Sequence, residues 1–263
     1  MTLFDQMERT DAAPKGQAES LFPYYNRSAR PKVGVLRELA ETWFLRLPDV
    51  AKGPLRRDFR STRDSQHRAA FFELYLHELL TGIGFQCEPH PTVPGERTHP
   101  DFLLHRSDER HLYLEATLAL HSENEAAEEA RMAQVYDTLN RMPPCDFFLL
   151  LRLRGAPETP PPGARLRRDV HAWLARLDAD ALAAQLVRGG LGALPSFEWS
   201  HAGWEVSLVP IPKSPALRGQ PGVRPIGITM PDEFHVVDSH RALHAAVASK
   251  ATKYGALDFG ACQ

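Results

Sequence analysis

No stretch of this 263-residue chain approaches the roughly 18 apolar residues that a membrane-spanning helix needs. The opening MTLFDQMERTDAAPKGQAES has no basic region followed by an apolar one, so neither a membrane anchor nor a secretory leader is expected and the reading is cytoplasmic. Cysteine is scarce. The three present, Cys87, Cys145 and Cys262, are odd in number and without metal-ligand spacing, which argues against a disulfide framework and a zinc module. An excess of one charge is missing as well: 31 Lys and Arg against 33 Asp and Glu leave a net charge of −2. A polyanion would have to be met by a local basic patch rather than by a global field. Internal repeats and low-complexity tracts are absent.

What remains is an ordinary globular composition, 43% hydrophobic and 24% charged, enough to bury a proper core. The first twenty residues are polar and small and predict a loosely ordered tail, residues 1–20, ahead of a single domain over 21–263. Apolar residues at Val35, Leu36, Leu39, Trp43 and Phe44 predict an amphipathic helix stopped by Pro48. A second helix runs from Gln66 to Leu80, with Phe72, Leu76, Leu79 and Leu80 on one stripe and Gly82 and Gly84 as stops. Phe85 to Val93 reads as a short strand broken by prolines. DFLLHR and HLYLEATLAL follow as two strands joined by the polar turn SDER. Ser122 and Glu125, at capping-box spacing, open a helix that ends at Pro143-Pro144, and CDFFLLLRLRG is a buried strand. Beyond it come a helix or helix pair over about 166–188, a hairpin turning at His201 to Gly203, a short strand IGITM and a last helix.

Two acids stand out in THPDFLLHRSDERHLYLEATLAL. If SDER is the turn, Asp101 at the start of one strand lies opposite Glu115 near the end of the next. Like charges that close destabilise a bare sheet, so something positive is expected between them. A hard divalent ion is the natural candidate, since Mg²⁺ takes one or two carboxylates and keeps its other positions for water and phosphate. Glu73, on the preceding helix, supplies a third carboxylate if that helix packs over the strand ends.

At these residues the chain resembles the PD-(D/E)xK nuclease superfamily, the restriction-endonuclease-like fold. Its shared core runs helix, three strands, helix, strand, with an acid on the first helix, Asp on the second strand and (Asp/Glu)-x-Lys on the third. The matching positions are Glu73, Pro100-Asp101 and Glu115-Ala116-Thr117, and the resemblance covers about Gln66 to Arg154. It implies an α/β fold with a restriction-endonuclease-like core over about 66–154, N-terminal helices and a C-terminal α/β extension over about 155–263. It also implies a nuclease hydrolysing DNA with Mg²⁺ or Mn²⁺, in which Asp101, Glu115 and Glu73 are the metal-binding acids and the Ala116 carbonyl assists. Double-strand cutting would commonly need two active sites and hence a homodimer.

The chain departs from the pattern at Thr117, where the superfamily has a lysine that positions water and offsets transition-state charge. Candidates to supply that cation from elsewhere are Lys250 and Lys253 on the last helix, ranked first, then Arg131 or the hydrogen-bonding Gln134. The departure also sustains a second expectation, a catalytically inactive nuclease-like module that binds DNA or a protein partner. The basic LRRDFRSTR, Leu55 to Arg63, reads either as a phosphate grip ahead of the Glu73 helix or as an exposed linker. The histidines at 77, 90, 99, 105, 111 and 121 lack a metal-ligand spacing and read as surface residues. Trp199 and Trp204 read as core.

Overall fold

The N-terminal segment illustrates how the first half of the chain is built. In this computed structural model, which describes residues 1–93, 99–106, 111–118, 123–155, 157–229 and 243–249, Leu3 and Phe4 are 0% and 2% exposed. Phe4 stacks on Phe22 at 5.8 Å and meets Phe59 edge-on at 5.6 Å, two favourable aromatic geometries in one cluster. The expected tail is therefore a strap across a helical layer. Four helices form that layer: α1 (Leu21–Arg27), α2 (Pro31–Arg46), α3 (Asp49–Phe59) and α4 (Asp64–Gly82). The strap's polar groups are met as well. Glu41 accepts from the Leu3 and Phe4 amides, and Arg56 and Arg60 donate to the Thr2 and Leu3 carbonyls. Of LRRDFRSTR, the first half therefore lies in α3 rather than in a linker, and Arg56 and Arg60 are engaged with the strap.

Helix α4 serves two cores. Ala70 and Leu74 join the helical cluster with Leu3, Phe4, Phe44 and Phe59, while Leu80 and the half-buried Leu76 pack on the sheet residues Phe102 and Leu104. Its buried stripe is His67, Ala70, Leu74, His77 and Leu80, at spacings of three and four. The expected stripe of Phe72, Leu76, Leu79 and Leu80 is offset from it, since the true stripe carries two histidines and apolar Leu79 is exposed.

The sheet beneath α4 is an antiparallel meander of β1 (Gln86–Pro89), β2 (Phe102–His105) and β3 (His111–Leu114). Phe102 faces Leu114 and His105 faces His111, the register deduced from the SDER turn, although that turn itself lies outside the described residues. Strand β1 adds on the other side, with Gln86 opposite His105 and Pro89 opposite Phe102.

Two compact units emerge where one domain was expected: Met1–Lys15, Glu19–Leu120 and Asp238–Gln263 form the first, and Gly16–Ala18 with His121–Val237 the second. The second holds α5 (Glu123–Asn140), β4 (Phe147–Arg154), α6 (Gly163–Leu174), α7 (Ala179–Gly189), β5 (Phe197–His201), β6 (Trp204–Pro212) and β7 (Ile226–Thr229). Strand order is β5-β6-β4-β7, with β4 antiparallel to β6 and parallel to β7. The β5–β6 hairpin turns at Ala202-Gly203, whose φ values of 48° and 86° are the doubly positive pair of a two-residue turn matched to strand twist. Trp199 and Trp204 are buried in this unit's core, as expected, and the Trp204 indole donates to the Thr159 carbonyl.

The chain is thus mixed α/β, and helix, three strands, helix, strand follow in the expected order from α4 to β4. Among the described residues, however, β4 pairs with β6 and β7 in a sheet of its own rather than with β3. Its apolar run FFLLL is buried on one face and half-buried on the other, not wholly enclosed. No helix among the described residues is long and apolar enough to cross a membrane.

Candidate active site

The meander ends in a row of charged residues. One step beyond the last ladder pairs, Pro89 to Phe102 and Phe102 to Leu114, the chain places His90, Asp101 and Glu115 side by side across three strands. Backbone bonds fix the row. The His90 amide donates to the Asp101 carbonyl at 3.0 Å. The Asp101 amide donates to Glu115 Oε2 at 3.1 Å, and the Ala116 amide to Asp101 Oδ2 at 2.6 Å. Each acid thus satisfies an amide that the fraying ladder would leave open, a charge-assisted bond stronger than a neutral one.

Glu73 comes to the same place from α4. Its Oε1 lies 3.0 Å from His90 Nε2, with the Glu73 side chain 21% exposed and the His90 side chain 40%. Hydrogen bonding to Glu73 raises the His90 pKa above the ordinary histidine value; burial opposes this, and the charges of Glu73, Asp101 and Glu115 add to the rise. Three carboxylates therefore act on one imidazole. His90 also adopts φ 49°, a left-handed conformation uncommon outside glycine, which turns the chain out of β1 at this point.

The three acids predicted from sequence are thus gathered, but with a changed division of labour. Something positive is expected among them, and one such group is His90, which bonds Glu73 and feels the charges of Asp101 and Glu115, although the sequence alone reads it as a surface histidine. The signal that would have found it is the β1–β2 register: once Pro89 is set opposite Phe102, His90 must face Asp101. Among the described residues no three His, Cys, Asp or Glu side chains stand at metal-ligand spacing. Asp101 and Glu115 still make a donor pair suited to a hard ion, which needs only one or two carboxylates. Glu73 directs its Oε1 to His90.

Thr117 is half-buried just beyond the row and brings no charge. Lys250 and Lys253, the first choices for the missing cation, lie outside the described residues. Arg131 and Gln134 lie on α5, in the second unit. Two other buried polar groups sit on α4. His67 Nδ1 is 2.5 Å from the Phe59 carbonyl oxygen, whereas His77 Nδ1 has no hydrogen-bond partner among the described residues. Burial lowers the pKa of both.

No family model, no curated protein and no solved structure matches the chain.

Proposed function

We propose that the chain is a metal-dependent nuclease that hydrolyses DNA phosphodiester bonds, with its active site at the end of the β1–β3 meander. The observation that supports this most is the convergence of His90, Asp101 and Glu115 in one row with Glu73 bonded to the histidine. Asp101 and Glu115 would hold Mg²⁺ or Mn²⁺. When bound, such an ion supplies an acidified water and offsets negative charge on a phosphoryl oxygen. His90 does the work of the lysine that Thr117 replaces: Glu73 orients the ring through Nε2 and favours its charged form, giving the site a cation beside the reacting group. Asp101 and Glu115, laced to neighbouring amides, hold their positions without substrate, so little reorganisation is needed at the reacting geometry.

A second reading has one observation in its favour. Because both carboxylates accept backbone amides, they have a structural role that would keep them in a nuclease-like module without catalysis, binding DNA or a protein partner.

Calorimetry with Mn²⁺ on the intact chain and on Asp101→Ala, together with Mg²⁺- or Mn²⁺-dependent cleavage of linear, branched and single-stranded DNA, separates the two. The nuclease reading expects a Mn²⁺ site that disappears in the variant and cleavage that disappears with it. An intact chain that binds no Mn²⁺ and cuts none of these substrates leaves the non-catalytic module.

A further inference from the structure

The opposite end of the same hairpin carries a second arrangement, one that the proposed nuclease chemistry does not use. His105 on β2 and His111 on β3 are direct cross-strand partners. Their Nδ1 atoms are 2.7 Å apart, and the rings meet nearly at right angles, with centroids 4.7 Å apart at 81°. Behind His105, on its far nitrogen, Glu88 Oε2 lies 3.8 Å from Nε2. Both histidines are accessible: the His105 side chain is 34% exposed and His111 is exposed.

We propose that His105 and His111 form a two-histidine chelate for a divalent transition-metal ion that favours right-angled ligand pairs, Ni²⁺ or Cu²⁺. Two imidazole nitrogens facing each other at this distance have two stable uses. In one, a single hydrogen lies between them, one ring donating and the other accepting. In the other, both rings are neutral with hydrogen on Nε2, and both Nδ1 lone pairs converge on an ion. Going from the first to the second moves the hydrogen of a neutral donor ring from Nδ1 to its own Nε2 through solvent, or releases it to solvent where that ring is protonated, and turns both exposed rings so that their lone pairs meet at the ion.

The bite decides which ion fits. With metal–nitrogen bonds of about 2.0–2.1 Å, two ligands at a right angle stand about 2.9 Å apart and two at a tetrahedral angle about 3.4 Å. The observed 2.7 Å is therefore about 0.2 Å from the first spacing and about 0.7 Å from the second. Imidazole suits these ions, and tetragonal geometry belongs to Cu²⁺ and Ni²⁺ rather than to Zn²⁺. Glu88, 3.8 Å from the far nitrogen of His105, is beyond hydrogen-bond distance but close enough for its charge to favour hydrogen on Nε2, which leaves Nδ1 as the ligand. Water fills the remaining positions. The site is four residues along β2 from Asp101, about 13 Å at the usual strand rise, so it is separate from the carboxylate row.

The test uses the full chain. Titration with Ni²⁺, followed by calorimetry and by the ligand-field absorption of the bound ion, should show one saturable site in the wild type. His105→Ala and His111→Ala should each weaken it at least about tenfold, and His201→Ala, in the second unit, should leave it unchanged. Circular dichroism of each variant confirms folding, and His111→Ala, on the exposed β3, is the arm least able to disturb the core. Asp101→Ala should retain Ni²⁺ binding, so this site and the nuclease reading fail separately. Unchanged Ni²⁺ affinity in either histidine variant, or no saturable binding by the wild type, overturns the proposal.

Discussion

Asp101 holds an amide and, in the proposed function, an ion, and two substitutions separate these roles. Asp101→Ala deletes the acceptor for the Ala116 amide, bonded at 2.6 Å, together with the charge. Asp101→Asn keeps a carbonyl oxygen able to accept that amide and removes only the charge. Bonds to charged acceptors are worth about 1.5–3 kcal/mol when fully sheltered. Because Asp101 and Ala116 are half-buried, we expect about 1–2 kcal/mol for the alanine variant. For the asparagine variant the expected loss is under about 1 kcal/mol, since a neutral bond remains. The alanine variant should therefore melt about 3–8 °C lower, with the asparagine variant near the wild type. Mn²⁺ affinity should behave differently, falling at least about tenfold, or 1.4 kcal/mol, in both variants, because both lose the same ligand charge. Thermal melting and calorimetry on the three proteins read the two roles independently. Wild-type Mn²⁺ affinity in Asp101→Asn would refute the ligand assignment and leave Asp101 as a lacing residue only.

His90→Gln should lower the rate of metal-dependent DNA cleavage by about 10²–10³-fold, the usual cost of removing one transition-state donor, and Thr117→Lys in that background should recover part of it. Single-turnover cleavage rates check this, and an undiminished rate in His90→Gln removes the imidazole from the mechanism. Phe4→Ala should destabilise the first unit by about 3–5 kcal/mol in urea unfolding, as for a fully buried aromatic; a cost below about 1 kcal/mol would mean that the strap is not part of the core. His77→Leu should stabilise by about 1 kcal/mol, because it removes a buried nitrogen that finds no partner among the described residues. Acid should weaken the fold through His67 and His77: burial lowers their folded pKa below the ordinary histidine value of about 6.5, so the unfolded chain binds protons first. Stability is therefore intact above about pH 6.5 and falls as the pH drops from there through the folded values, with a smaller fall in His77→Leu; urea midpoints at pH 7.5 and 5.5 measure it.

What could be read from the chain alone was whatever depends on near neighbours. The β2–β3 register follows from one short turn, and it put Asp101 opposite Glu115 without any coordinates. The β5–β6 turn at Ala202-Gly203 and helix α2 were legible for the same reason. Long-range partners were not. Nothing in MTLF indicates that Leu3 and Phe4 meet Phe22 and Phe59, since that contact depends on α1 and α3 already being folded. Helix α3 was hidden because Gly53 and Pro54 punctuate it and its arginines read as a surface patch. The α4 stripe was misplaced because hydrophobicity alone does not mark His67 and His77 as buried. Strand β4 looked like the fourth strand of one sheet, but its partners β6 and β7 come from more than 50 residues further on.

The failure at His90 is the instructive one, because it and the success at Asp101 rest on the same rule. Cross-strand pairing located one acid from the other, and applied once more to β1, legible as a short strand broken by prolines but without a turn to set its register, it would have located the histidine. The omission bears on chemistry. His90, bonded to Glu73 and with its pKa raised by all three acids, offsets part of their charge within the protein itself. Lacing by one backbone amide does not by itself exclude ligation, since a carboxylate has about four acceptor positions. In the proposed function, a site built this way would keep its shape between turnovers, because the amides that hold Asp101 and Glu115 and the carboxylate that holds His90 belong to the protein itself.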